Sequence, residues 1–98
     1  MAMQAPAQTG EICAMAAIVN LRGLHARAAA KFVKVAGEFR AEIQVAKDDV
    51  RVSGRSIMGL MMLAAGRGTT LKICVCGDDA DAALAALADL IKRGFDET

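Results

Sequence analysis

The segment TLKICVC, Thr70–Cys76, alternates residue by residue, and AEIQVAK, Ala41–Lys47, does the same. A period of two puts Leu71, Ile73 and Val75 on one strand face, with Lys72, Cys74 and Cys76 on the other. Ile43 and Val45 are likewise set against Glu42 and Gln44. Such strands must bury their apolar faces under another layer. Two more segments have strand length. EICAMAAIVN, Glu11–Asn20, is nearly continuously apolar and ends at the turn-like Asn20–Leu21–Arg22–Gly23. Its Ile12, Ala16 and Ile18 are expected to point inward, with Cys13, Met15 and Ala17 outward. Beyond a hairpin tip at Asp48–Asp49, Val50 and Val52 are expected to continue the buried side.

Three stretches between and after these strands have helical spacing. From Ala26, apolar residues recur at Ala29, Phe32, Val33 and Ala36, with Arg27, Lys31, Lys34 and Glu38 on other faces and Gly37 at the stop. IMGLMMLAA, Ile57–Ala65, reads as a short helix ended by Gly66–Arg67–Gly68. The last helix opens at Gly77–Asp78–Asp79, buries Ala80, Ala83, Leu84, Leu87, Leu90 and Ile91, and closes on Lys92, Arg93 and Gly94. The order β-α-β-β-α-β-α implies an α+β, two-layer sandwich around a mostly antiparallel sheet. The same order suits ferredoxin-like modules that bind RNA, but those stack bases on sheet aromatics. Here Phe32, Phe39 and Phe95 all fall outside the strands.

Ninety-eight residues suit a single domain, expected over 11–98 behind a flexible tail at 1–10. Aromatics are only 3% of the chain, so its core must come from Ala, Leu, Val, Ile and Met. A net charge of +1 gives no field for nucleic acid. Ile12–Val19 is too short to span a bilayer, and MAMQAPAQTG lacks the parts of a signal peptide. Three cysteines, Cys13, Cys74 and Cys76, are an odd set, which argues for reduced thiols in a cytoplasmic setting. All three are expected on the helix-free sheet face and open to thiol reagents.

The one histidine stands in GLHARAAA, Gly23–Ala30, at the N-cap position of the first helix. A helix start has unpaired N–H groups and a partial positive charge. An anion on or near His25 would meet the N–H groups of Ala26 and Arg27 and the Arg27 guanidinium, which makes a phosphate site. An imidazole titrates near pH ~6.5, so it is largely neutral and nucleophilic at cellular pH. The plainer alternative is a surface histidine that only caps a helix. No set of residues suggests a hydrolase triad. A zinc site would need Cys13, Cys74, Cys76 and His25 to converge, and Cys-x-Cys inside a strand does not favour that, so no metal is expected.

The second helix is apolar at almost every position. If Leu60, Leu63 and Ala64 face the core, then Ile57, Met58 and Met61 are exposed, an adaptable docking patch. Ser56 caps this helix. A phosphate on Ser56 would also sit at its N-terminus, next to Arg55.

GLHARAAAKFVKVA, followed about thirty residues after the histidine by GRSIMGLMMLAAGRGTTL, resembles HPr, the histidine-containing phosphocarrier family of the phosphoenolpyruvate-dependent phosphotransferase system. The resemblance spans Glu11 to the last helix. It implies an open-faced β-sandwich, a four-stranded antiparallel sheet with three helices on one face. It further implies a carrier rather than an enzyme, working without a cofactor. His25 would accept a phosphoryl group on Nδ1 from Enzyme I, with phosphoenolpyruvate as donor, and pass it to an IIA protein or domain. Arg27 would steady the phosphate, and a dedicated HPr kinase/phosphorylase would modify Ser56. Arg22, Leu24, Ile57, Met58 and Met61 would dock partners, within a basic rim of Arg22, Arg27, Lys34 and Arg55. A monomer is expected. The alternative is a non-transferring regulatory module that uses the Ile57, Met58 and Met61 patch. The family usually has proline where this chain has Ala28, and often Ser or Asn where it has Arg22. The wording GRSIMGLMML is nearer the nitrogen-related branch.

Overall fold

The computed structural model describes residues 10–97; apart from Gly10, the tail expected at 1–10 lies outside them. Strands β1 (Ile12–Ala17), β2 (Glu42–Lys47), β3 (Val50–Ser53) and β4 (Thr70–Cys76) and helices α1 (Ala26–Ala36), α2 (Ile57–Met62) and α3 (Ala80–Lys92) follow the order β1-α1-β2-β3-α2-β4-α3. A 3-10 turn, Gly94–Asp96, follows α3. The strands form an antiparallel sheet in the order β1-β4-β2-β3. This is the open-faced sandwich expected from the alternation.

The inward residues are the ones the period of two selects. Ile43, Val45, Leu71, Ile73 and Val75 join one cluster with Phe32, Leu60, Leu87 and Ile91 from the helices. Ile18 is buried at the end of the first strand segment, while Cys13, Met15 and Ala17 are exposed. Phe95, beyond the last helix, is buried as completely as any core residue. Lys47 reaches across to donate to Leu63 O at 3.0 Å, taking up a carbonyl left over at the end of α2. Asp79 does not cap α3 with its side chain. Its carboxylate accepts the Arg40 and Ala41 amides, both at 2.9 Å. The Arg40 amide is the chief reason its carboxyl is held below the usual range. What that bond contributes is present above the ordinary carboxylate pKa and is lost as the pH falls through the depressed one.

Four expectations need correction. Val50 lies on the edge strand and is 48% exposed, past the cover of the helices. Ala64 does not face the core. The α2 helix stops at Met62, Ala64 takes a left-handed φ of 51° and is exposed, and Ala65 is buried in its place. Arg55 is exposed as a rim residue would be, but its guanidinium is committed to Ala36 O, Phe39 O and Ala41 O at 2.7–2.9 Å, carbonyls at and just beyond the end of α1.

The fourth correction concerns the cysteines. Cys13 and Cys74 are joined in a disulfide, so they are not reduced thiols. The β1–β4 register sets the two residues directly opposite each other, with Cα atoms 4.1 Å apart. Their outward facing is as expected, yet Cys74, on a central strand between β1 and β2, is only 3% exposed. Cys74 is therefore closed to thiol reagents in this state. Cys76 shares that face and stands outside the bond.

Candidate functional site

The loop before α1 is shaped by close backbone approach. Gly23 has φ +68°, and a Cβ there would lie 2.5 Å from Ala65 O, the carbonyl that accepts the Leu24 amide at 2.9 Å. Gly23→Ala should therefore cost about 1–3 kcal/mol through combined strain and displacement. It should also shift the His25 resonances. Thermal unfolding and NMR of the variant check both, and wild-type values would refute the packing argument.

The chain then enters α1 with His25 as N-cap, its backbone still extended at φ −78°, ψ 179°. The Arg27 amide donates to His25 Nδ1 at 3.3 Å, a long capping bond. The ring is only 17% exposed. Its Nε2 pairs with Glu97 Oε2, contributed by the segment after the last helix. Glu97 Oε1 in turn accepts Asn20 Nδ2 at 2.9 Å, and the same Asn20 nitrogen donates to Gly23 O at 2.8 Å. Among the described residues Asn20 Oδ1 is buried with no hydrogen-bond partner.

Of two shallow depressions here, one lies beside Glu97, the ring's partner, and the other is lined by the ring itself. One, of about 330 Å³, is lined by Arg22, Arg27, Lys31, Asp96 and Glu97. The other, of about 220 Å³, is lined by Arg22, Leu24, His25, Ala64, Ala65 and Gly66, and runs from the ring to the loop after α2. In the first, three cations against the carboxylates of Asp96 and Glu97 leave a weakly positive margin that favours an anion. The Glu97 carboxyl is held below its usual range, first by Asn20, then by His25, with Arg22 adding a further pull.

Among the residues singled out in the sequence, His25, the Ala26 and Arg27 backbone, the Arg27 side chain and Arg22 come together here. Lys34 lies in the last turn of α1, away from the helix start that carries His25. Ser56 is the N-cap of α2, its Oγ accepting the Gly59 amide at 2.9 Å. Ile57, Met58 and Met61 are exposed, and Met62 joins them at 74%. Leu24 is the exception. It is 5% exposed and part of the core cluster, so its side chain supports the site from below and offers no docking surface.

Three contributors escaped the sequence reading: Asn20, Lys31 and Glu97. Asn20 carried a weak signal as a polar residue closing an apolar strand. Lys31 falls one turn after Arg27 on α1, a spacing that places both on one side of the helix. Glu97 carried none, because it meets His25 across 72 residues of chain.

Chemically, the arrangement offers one ring nitrogen with a lone pair at a helix start and a weakly cationic margin; among the described residues no second nucleophile is placed to complete a hydrolytic set. Comparison with known proteins agrees. The family model described as the PTS HPr component phosphorylation site matches residues 13–93. The phosphocarrier protein HPr of Neisseria meningitidis is 51% identical over 80 residues, covering 82% of this chain and 90% of its own. The phosphocarrier protein NPr of Shewanella violacea is 46% identical over 80 residues, 82% of this chain and 88% of its own. The crystal structure of HPr-C-His from Thermoanaerobacter tengcongensis superposes with a TM-score of 0.85 at 42% identity, covering 89% of this chain and 98% of that one.

Proposed function

Since this chain belongs to the HPr family of phosphocarrier proteins of the phosphotransferase system, which are carriers and not enzymes, we propose that His25 is its phosphoryl acceptor. On this reading Nδ1 takes the group from Enzyme I, with phosphoenolpyruvate as the ultimate donor, and yields it to an IIA protein or domain. The observation that carries the proposal is the placement of Nδ1 at the α1 N-terminus, facing the Arg27 amide, with Arg22 lining the same depression as the ring. A phosphoryl group on Nδ1 would replace the long capping bond with contacts to the Ala26 and Arg27 amides. The cations would offset its charge, while the partner supplies the in-line geometry and excludes water. The acting unit spans 11–98, works as a monomer in the cytoplasm and needs no cofactor.

Partner docking is assigned to Arg22, Ile57, Met58 and Met61, joined by Met62. The exposure of these methionines also suits a binding module that no longer transfers phosphate. Incubation with Enzyme I and labelled phosphoenolpyruvate separates the two: a carrier acquires acid-labile, base-stable phosphate, and a pure binding module acquires none. Among the described residues no helix is long and apolar enough to cross a membrane.

Ser56 is proposed as a regulatory site for an HPr kinase/phosphorylase. It is half-buried at the head of α2, directly before the exposed Ile57 and Met58. In Ser56→Asp the carboxylate can still accept the Gly59 amide, so α2 should persist. The added charge should weaken binding to an acidic Enzyme I surface by about 1 kcal/mol at low salt, fading as salt rises. Transfer kinetics identical to wild type at low ionic strength would remove Ser56 from the docking surface.

A further inference from the structure

The structure assigns Glu97 as the positioning residue that holds a proton on His25 Nε2 and so reserves Nδ1 for the phosphoryl group. The transfer half of this assignment rests on the reading of His25 as the acceptor; the proton's place does not. The ring is contacted at both nitrogens. Nδ1 receives an amide N–H and therefore presents a lone pair. Nε2 meets an ionised carboxylate, which can only accept, and therefore bears the proton.

The carboxylate is itself held in place. Its second oxygen is fixed by the buried Asn20. The chain reaches this position through three successive left-handed residues, Gly94 (φ 68°), Phe95 (φ 57°) and Asp96 (φ 62°), of which only the first is glycine. Left-handed backbone is strained for a non-glycine residue, so such a path needs outside support. Full burial of Phe95, a bond from Lys31 Nζ to Phe95 O at 2.8 Å, and one from Arg93 Nε to Asp96 Oδ1 at 2.9 Å supply it. The result of this bent path is one carboxylate on one ring nitrogen.

The chemistry follows from where the proton stays. In uptake, the Nδ1 lone pair forms the P–N bond while the donor's bond to phosphorus breaks, its electron pair remaining with the donor. The ring becomes cationic with Nε2 still protonated, and the Glu97 carboxylate compensates that charge. In release, the P–Nδ1 pair returns to nitrogen and the ring departs neutral. No proton needs to move in either direction. Without the carboxylate, Nε2 can lose its proton in the phosphorylated state, and the leaving group would then be an imidazolate, a much poorer one.

The test uses full-length protein with 15N-labelled histidine, at a pH where the ring is neutral. Wild type should show a protonated, slowly exchanging Nε2 and a lone-pair Nδ1. Glu97→Gln, whose amide oxygen still accepts, should keep that pattern. Glu97→Ala should lose the exchange protection and gain an Nδ1–H population. Transfer from phosphorylated protein to the acceptor should fall about tenfold in both variants, since the charge is lost in each. An unchanged Nε2–H signature in Glu97→Ala, or undiminished transfer in both variants, would overturn the assignment. If wild type took up no phosphate, the carrier reading would fall, while the bare-ring spectra would still decide where the proton sits.

Discussion

His25→Ala reduces phosphoryl uptake from Enzyme I to background while the domain stays folded. The substitution removes the acceptor nitrogen itself, and among the described residues no other imidazole exists to take its place. Its structural cost is bounded. A capping bond of 3.3 Å is lost, and Glu97 keeps its bond to Asn20. Loss of an N-cap typically costs ~1 kcal/mol, and the carboxylate, still bonded to Asn20, is only partly buried, so the total should stay at about 1–2 kcal/mol. Arg27→Ala is the useful contrast, because it leaves Nδ1 and the backbone amides in place; uptake should slow without vanishing. Uptake measured with labelled phosphoenolpyruvate, alongside thermal melts, checks both. Residual acid-labile phosphate on the alanine variant would mean that another group carries it.

The second large effect concerns stability and not transfer. The Cys13–Cys74 bond closes a loop with a sequence separation of 61 and ties edge strand β1 to β4. In the chain-entropy account, a cross-link of that length restricts the unfolded ensemble enough to contribute about 4 kcal/mol. For a domain of this size, that corresponds to a fall in Tm of roughly 15–25 °C on reduction. Cys13→Ser should show the same fall without reductant and no further fall with it. Phosphoryl uptake below the lowered Tm should be unaffected, because the bond lies on the outward face of the sheet while His25 stands at the head of α1. A reduced protein as stable as the oxidised one would show that the bond contributes nothing to the native fold.

How much of this was legible in the sequence depends on the range of the interactions involved. The inward faces of β2 and β4 and the buried stripe of α3 were readable because alternation and helical spacing are local. His25 as a cap was readable for the same reason: the break at Gly23 and the alanine run after it sit within a few residues. Val50 was misjudged because the same pleat continues past the cover of the helices, and the extent of that cover is a tertiary fact. Ala64 was misjudged because α2 ends one turn early in a left-handed residue, where alanine gives no signal. The cysteine pairing depends on the β1–β4 register, which counting cysteines cannot supply; the odd number pointed the wrong way. Glu97 is the clearest case. Nothing near it in the chain marks it as a partner of His25, and only the left-handed turn through Phe95 and Asp96 brings it there.

The central claim is that Nδ1 of His25 carries a phosphoryl group, and direct observation of that atom tests it. Protein with 15N-labelled histidine, incubated with Enzyme I and phosphoenolpyruvate, should show phosphorus coupled to Nδ1, with Nε2 still protonated and the phosphate lost in acid. Phosphorus on Nε2, on another residue, or on none would contradict the account.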